Sequence, residues 1–195
     1  MTNPSAIFDS LFIVSQTSSQ CAGISISELN FLSYFSCLLS LYKGIAVSDW
    51  GYSFLKSEQG VPVSAELSES CSMLVEAGEL ENDGVRYCMT PAGESRLKFL
   101  RTLSCMNARV ECLQAACDCL LMDSIVEILS LLSQDSVIKE SSFHQLKYLN
   151  SNENESLSVL YEQFKVVRNA IGYRHNLFVP AVSWLLYLRQ KKSEI

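Results

Sequence analysis

Two residues near the end of the chain could carry out acid–base chemistry on a phosphate group. Arg168 and His175 lie in "VVRNAIGYRH" with six residues between them, and Asn169 follows the arginine. An arginine can stabilise the charge that develops on a phosphorus centre, and a histidine with a pKa near neutrality can move the proton. The same stretch also suits a helix end, with Arg174 and His175 near the last carbonyl groups and Gly172 allowing the turn.

This spacing resembles the R-x(4–6)-H signature of HEPN ribonucleases, helical domains that commonly carry Arg-Asn at this point. The resemblance implies a ribonuclease or toxin with Arg168 and His175 as catalytic residues, in a kind of site normally assembled across a dimer. The commoner four-residue spacing falls on Tyr173, so His175 lies two positions late. A HEPN-type ribonuclease, a HEPN-like bundle used only for association and a structural helix end remain three open interpretations.

No other pattern indicates catalysis or a bound cofactor. Glycines are sparse and isolated, so there is no Walker-type loop, and neither G-x-S-x-G nor H-E-x-x-H occurs. His144 has no carboxylate or cysteine at ligand spacing. The eight cysteines form no C-x-x-C pair, so we expect reduced cysteines used as small apolar side chains. We predict no cofactor, no metal site and no enzymatic activity.

The overall composition favours a protein that binds other proteins. A net charge of −6 argues against general nucleic-acid binding, which needs a basic surface. Charged residues make up only 18% of the chain and hydrophobic residues 48%, which leaves more apolar surface than one domain readily buries. No apolar run is long enough for a membrane span, and the N-terminus lacks the basic region of a secretory signal. We therefore expect a cytoplasmic protein.

Helix-start and helix-stop signals divide the first part of the chain. After a short helix over residues 5–14, Ser25 and Glu28 have capping-box spacing before an apolar helix that ends at Gly44. Ser48 is predicted to cap a second helix, "DWGYSFLKSEQ", and Ser64 a third that ends at the next glycine.

A β-hairpin and a further helix follow these three helices. Two short strand-like runs flank Asn82-Asp83-Gly84, a strong turn signal. Thr90-Pro91 then begins a helix, with proline at the first helical position. Three helices, a hairpin and a helix are the order of a winged helix-turn-helix.

The helix that starts at Pro91 is predicted to continue to Met122 and to carry two apolar seams at alternating spacings of three and four. The first seam comprises Phe99, Leu103, Met106, Val110, Leu113, Cys117 and Leu120. The second comprises Cys105, Ala108, Cys112, Ala115, Cys119 and Met122, whose small members allow another backbone to come close. Such a helix is either central in its own bundle or shared with a partner.

The predicted third helix and wing are acidic, whereas a DNA-reading winged helix touches phosphates with Lys and Arg. The acids are Glu66, Glu69, Glu76, Glu79, Glu81 and Asp83, against a single Arg86. Phosphates would be repelled by this local charge of about −5. We therefore expect a winged helix that docks onto protein, and a transcriptional regulator is the weaker alternative.

The stretch "MLVEAGELENDGVRYCMTPAGE" resembles the "L…G-L…Y-x-L-T-x-x-G" winged-helix signature of accessory subunits in bacterial ATP-driven chromosome-maintenance-type complexes. The matched part is residues 28–100, and Met89 replaces the usual leucine before Thr90. Size, acidity and a helical C-terminal half are similar to the middle component of three-gene ABC-ATPase defence systems of the Lamassu type. The resemblance implies a non-catalytic scaffold that links an SMC-like coiled-coil ATPase to a nuclease effector in antiphage or anti-plasmid defence.

We therefore predict a mainly α protein with a winged helix-turn-helix and one β-hairpin followed by a helical bundle. Residues 1–94 form the winged-helix module with its N-terminal helix, and residues 95–195 form the bundle, joined by the long helix over residues 91–122. The bundle includes four further helices, with residues 150–156 as a polar linker. Predicted partner-interface residues are Trp50, Tyr52, Glu66, Glu69, Glu76, Cys105, Ala108, Cys112, Trp184 and Tyr187.

Overall fold

The computed structural model describes residues 3–18, 23–140, 148–151, 156–172 and 176–193, and the chain is mainly helical with two small two-stranded sheets. The α-helices are α1 (Pro4–Ser18), α2 (Ile26–Leu39), α3 (Ala65–Glu76), α4 (Pro91–Leu100), α5 (Asn107–Asp118), α6 (Ile125–Leu132), α7 (Ser136–Glu140), α8 (Ser156–Ile171) and α9 (Phe178–Ser193). The strands are β1 (Leu55–Lys56), β2 (Pro62–Val63), β3 (Leu80–Asn82) and β4 (Tyr87–Met89). Short 3₁₀ turns cover Ser40–Lys43, Val47–Trp50, Ser104–Met106 and Cys119–Leu121.

Several local signals are confirmed. The Ser25 hydroxyl accepts a hydrogen bond from the Glu28 N–H, and the Glu28 carboxylate accepts from the Ser25 N–H, so the capping box at the start of α2 is complete. Gly44 ends the following 3₁₀ turn in a left-handed conformation (φ 75°). The predicted hairpin is β3 paired antiparallel with β4, and Thr90 caps α4 with Pro91 at its start.

The predicted helix after Ser48 is wrong. A 3₁₀ turn ends at Trp50, because Gly51 takes a positive φ of 97° and turns the chain away from a helical path. Beyond it, β1 and β2 pair as a second small antiparallel hairpin, with Leu55 opposite Val63. This segment is held by Asn150, which accepts a hydrogen bond from the Phe54 N–H (3.0 Å) and donates to the Tyr52 carbonyl (2.9 Å).

Asn150 is therefore a buried residue that fixes this segment, although it begins the stretch predicted as a polar linker. Residues 152–155 of that linker lie outside the described residues.

The predicted long helix over residues 91–122 is also wrong, because the chain breaks between α4 and α5. The Thr102 hydroxyl donates to the Phe99 carbonyl (2.7 Å), a local bond that competes with continued helix, and Leu103 is extended. After the break, α5 packs along α2 and buries Cys112, Leu113 and Ala116. Tertiary packing thus outweighs the regular apolar spacing.

The two predicted seams are consequently divided by the break. Leu113 and Cys117 of the first seam are buried, whereas Phe99 and Leu103 are exposed. In the second seam, Cys112, Ala115 and Cys119 are buried, whereas Cys105, Ala108 and Met122 are exposed.

The hydrophobic core is built around α1 and α2. Every residue of α2 from Leu29 to Leu39 is buried, as are Ala6 to Val14 of α1. Helices α3 and α4 pack against α1, and α5 packs against both α1 and α2. Helices α6, α8 and α9 complete the core from the C-terminal side. The core is continuous past residue 94, while the division of the chain into two domains stays a prediction.

The remaining predicted helices correspond to α6, α7, α8 and α9. Residues 141–147, which include His144, lie outside the described part of the chain. None of the helices that the structure describes combines the length and the apolar character needed to cross a bilayer.

Candidate interaction surfaces

The outer side of α3 and the β3–β4 hairpin form an acidic surface, which we call the acidic face and define as Glu69, Glu76, Glu81 and Asp83. All four residues are exposed. Helix α3 turns Leu67, Cys71 and Leu74 into the core, and the periodicity of the helix therefore directs the glutamates outward. Glu66, also predicted to lie here, is half-buried and accepts a hydrogen bond from the Ser64 hydroxyl (2.9 Å).

The two arginines nearest the β3–β4 hairpin already form ionic or hydrogen-bonded contacts within the chain. Arg86 donates to the Gly23 carbonyl (2.6 Å) and lies 3.8 Å from Glu28, and Arg96 pairs with Glu79 at 2.6 Å. Within the described part of the chain, no salt bridge joins a cation to Glu69, Glu76 or Glu81. Glu69, Glu76 and Glu81 therefore present negative charge to solvent without a salt-bridge partner among the described residues.

Backbone hydrogen bonds shape the turn between β3 and β4. The Asp83 carboxylate accepts from the N–H groups of Arg86 and Val85, both at 2.8 Å, and these bonds lower the pKa of Asp83. Asp83 thus stays ionised in mildly acidic solution. Val85 is 71% exposed and Met73 is 36% exposed, which adds apolar contact area beside the carboxylates.

A second candidate surface is an apolar groove between α8 and α9, which we call the α8–α9 groove. Its volume is about 590 Å³, and it is lined by Ser158, Val159, Glu162, Gln163, Val166, Val167, Trp184 and Tyr187. Trp184 is buried and stacks on Phe35 (5.8 Å between ring centroids), so it joins the groove to the main core. Tyr187 is 41% exposed and accepts a hydrogen bond from the Gln163 amide (3.4 Å).

The structure corrects part of the predicted interface on the N-terminal side. Trp50 and Tyr52 are each only 4% exposed and cannot anchor a partner in this conformation. The Arg109 guanidinium lies 3.9 Å from the Trp50 ring centre, and Tyr52 donates a hydrogen bond to Asp9 (2.5 Å). These contacts with Arg109 and Asp9 place both aromatic side chains inside the core.

The predicted interface residues near α5 are not brought together on one surface. Cys105 and Ala108 are exposed, whereas Cys112 is 1% exposed because it packs between α5 and α2. Of the pair near the C-terminus, Trp184 is buried and Tyr187 remains available.

Arg168 lies in the last turn of α8. Its guanidinium lies close to Gly44: a Cβ added to Gly44 would be 3.6 Å from the Arg168 Nη1. The Arg168 carbonyl accepts from the Gly172 N–H (2.9 Å), and the Tyr42 hydroxyl donates to the Gly172 carbonyl (2.5 Å). These contacts join the end of α8 to the 3₁₀ turn that follows α2. His175 lies outside the described residues, so its distance from Arg168 stays untested.

The described residues provide no group of three or more His, Cys, Asp or Glu side chains arranged to hold a metal ion. Burial raises the pKa of Cys71 to about 11 and that of Cys112 to about 12. These thiols are therefore protonated and poorly nucleophilic at neutral pH.

Sequence reasoning missed the α8 residues of the groove, Val159 and Val166, which are 50% and 65% exposed. Their seven-residue separation on a helix whose core face uses Leu157, Leu160 and Phe164 was the available signal.

Comparison of the chain with protein-family models, with curated proteins and with solved structures found no match in any of the three.

Proposed function

We propose that this chain is a non-catalytic subunit that binds other proteins through an acidic winged-helix module. The order of elements supports the fold: α1, a strand residue at Ile24, α2, α3 and then the β3–β4 hairpin. Ile24 and Tyr87 exchange backbone hydrogen bonds of 3.0 and 2.8 Å, which adds a short third strand beside β4. A long connection through β1 and β2 separates α2 from α3.

The carrying observation is the charge of the acidic face. A helix that enters the DNA major groove places cations near phosphates, and α3 exposes Glu69 and Glu76 instead. Each contact with a DNA phosphate would place two negative charges side by side, which is unfavourable. A basic protein surface would instead be attracted by the same carboxylates. Exposed Met73 and Val85 add the apolar contact that protein interfaces use.

For the partners, we propose the pair implied by the sequence resemblance: an SMC-like coiled-coil ATPase and a nuclease effector in a defence complex. The subunit would couple them by binding one conformation of the ATPase better than another, which retains or releases the effector.

Co-expression tests this proposal. We expect the genes adjacent to that of this chain to encode a long coiled-coil ATPase and a nuclease, and the tagged chain to co-purify with both. The double variant Glu69→Lys/Glu76→Lys should lose at least one of the two partners. The matched control Asp49→Lys/Glu58→Lys makes the same charge change at other exposed positions and should retain both.

DNA binding provides the opposing measurement. Fluorescence anisotropy with duplex DNA at moderate salt should show no saturable binding at micromolar protein. Tight duplex binding together with failure to co-purify with either partner would overturn the proposal in favour of a transcriptional regulator.

A further inference from the structure

The wall of the α8–α9 groove contains a buried hydrogen-bond donor that has no acceptor in the described part of the chain. Trp184 lines the groove and is only 1% exposed, and its indole Nε1 has no hydrogen-bond partner among the described residues. When tryptophan is buried in a folded protein, its N–H normally finds an acceptor. The unpaired Trp184 N–H therefore indicates a site at which a bound molecule supplies the acceptor.

Two phenylalanines cover the faces of the Trp184 indole ring. The Phe164 ring centre lies 5.3 Å from that of Trp184 with an angle of 32° between the ring planes, and the Phe35 ring centre lies 5.8 Å away at 24°. Rings so close to parallel contact the faces of the indole rather than its edges. Trp184 therefore meets the groove through a ring edge, and the Nε1 hydrogen also points outward from a ring edge.

Two further groove residues, one on each helix, provide hydrogen-bond donors. The Gln163 amide donates one hydrogen to the Tyr187 oxygen at a long distance of 3.4 Å. The second Gln163 amide hydrogen and the Tyr187 hydroxyl hydrogen remain for another acceptor. No lysine or arginine is among the described residues that line the groove, and nearby Lys165 pairs with Glu162 at 3.2 Å. The groove thus suits a neutral acceptor, such as a carbonyl oxygen, better than a carboxylate.

The rest of the groove has the size and character of a small-molecule site. Val159 and Val166 give it an apolar wall along α8, and its volume of about 590 Å³ lies within the range of about 300–1,000 Å³ that such pockets occupy. Its eight lining residues are far fewer than the roughly 20–30 residues that each side of a standard protein interface contributes. We propose that the α8–α9 groove binds a neutral, mainly apolar small molecule whose carbonyl oxygen accepts a hydrogen bond from Trp184 Nε1.

Proton–nitrogen correlation NMR of the full chain tests this proposal, because the chain has two tryptophans and therefore two indole N–H signals. The variant Trp184→Phe removes one signal and so assigns it, and the Trp50 signal is an internal reference. Titration with alpha-tetralone, a neutral ketone on a two-ring frame, should move the Trp184 indole proton signal downfield until it saturates. Tetralin, the same frame without the carbonyl, should bind at least about tenfold more weakly and should not move that signal downfield.

A charge in the apolar wall provides a second test. Val166→Asp should weaken the binding of alpha-tetralone by at least about tenfold, because the apolar ligand would have to desolvate the new carboxylate. Val85→Asp, at a residue of the β3–β4 turn that is 71% exposed, makes the same change elsewhere and should leave the affinity unchanged. Circular dichroism should show both variants folded as wild type.

Three results would each overturn the proposal: a Trp184 indole signal that does not respond to alpha-tetralone, equal affinity for alpha-tetralone and tetralin, or unchanged affinity in Val166→Asp. A dimer in size exclusion together with no response to either probe would assign the groove to a second copy of the chain instead. The acidic-face experiment is independent of these outcomes, because none of the residues of the acidic face lines the groove.

Discussion

Arg109 of α5 and Asp9 of α1 form a buried ion pair across 100 residues of sequence. The Arg109 Nε donates to one carboxylate oxygen of Asp9 (2.5 Å) and Nη2 donates to the other (3.1 Å). Nη2 also donates to the Trp50 carbonyl (2.6 Å), and Tyr52 donates to Asp9. One cluster thus joins α1, the segment after α2, and α5. Because Asp9 and Arg109 lie on opposite sides of the predicted domain boundary, their pairing connects the two halves.

Replacing Arg109 by alanine should lower the free energy of unfolding by about 3–5 kcal/mol, because Asp9 would be left buried without its cation. Urea denaturation followed by circular dichroism measures this loss. Lys98→Ala removes an exposed cation on α4 and should leave the unfolding midpoint unchanged. An Arg109→Ala protein within about 1 kcal/mol of wild type would show that the pair contributes little.

The stability contribution of Asp9 should depend on pH with a defined sign. Burial raises the pKa of Asp9 above its ordinary value of 3.8, against the opposing pull of Arg109. The folded chain therefore holds this proton more tightly than the unfolded chain. The contribution is fully present below pH 3.8 and is lost as pH rises through the folded pKa.

The variant Asp9→Asn isolates this effect, because asparagine does not titrate. The unfolding free energy of wild type minus that of the variant should decrease as pH rises above about 4, measured by denaturation at a series of pH values. An increase over the same range would mean that Arg109 outweighs burial and lowers the pKa of Asp9.

Cysteine reactivity should separate the described thiols into two groups. Cys105 is exposed, whereas burial raises the pKa of Cys119 to about 12 and that of Cys117 further above its ordinary value. A brief treatment of the native protein with a maleimide should therefore modify Cys105 and leave Cys117 and Cys119 unmodified. Peptide mass spectrometry reads out each site, and labelling in urea is the positive control. Rapid native labelling of Cys117 would contradict the packing of α5 against the core.

Local chemistry made part of the fold predictable. The Ser25 capping box, the hairpin around Gly84 and the cap at Thr90 each depend on residues within a few positions, and each is confirmed. The length of the helix beyond Leu100 depended on distant contacts. Its apolar spacing continues through the break, but the route of α5 is set by burial against α2 and by the Arg109 pair with Asp9.

The candidate surfaces also include one part that the sequence predicts and another that depends on distant contacts. The acidic face was predictable, because the periodicity of α3 directs charged residues away from an apolar stripe. Burial of Trp50 was not, since it depends on an arginine 59 positions further along the chain. Aromatic residues suit cores and interfaces alike. The contact with Arg109 and the surrounding core residues place Trp50 inside the protein.

Gly93 lies where α4 meets the turn before β3, and its substitution provides a further test of the packing. The Thr90 hydroxyl accepts from the Gly93 N–H (3.2 Å) and donates to the Gly78 carbonyl (2.8 Å), which brings the two backbones together. A Cβ at Gly93 would collide with the carbonyl oxygen of Glu79. Alanine normally stabilises a helix relative to glycine by about 1 kcal/mol, but here the sign should reverse. Gly93→Ala should lower the free energy of unfolding by about 1–3 kcal/mol in urea denaturation, whereas Ser95→Ala, exposed on the same helix, should not. A Gly93→Ala protein as stable as wild type would mean that α4 can move away from the β3–β4 hairpin without loss of stability.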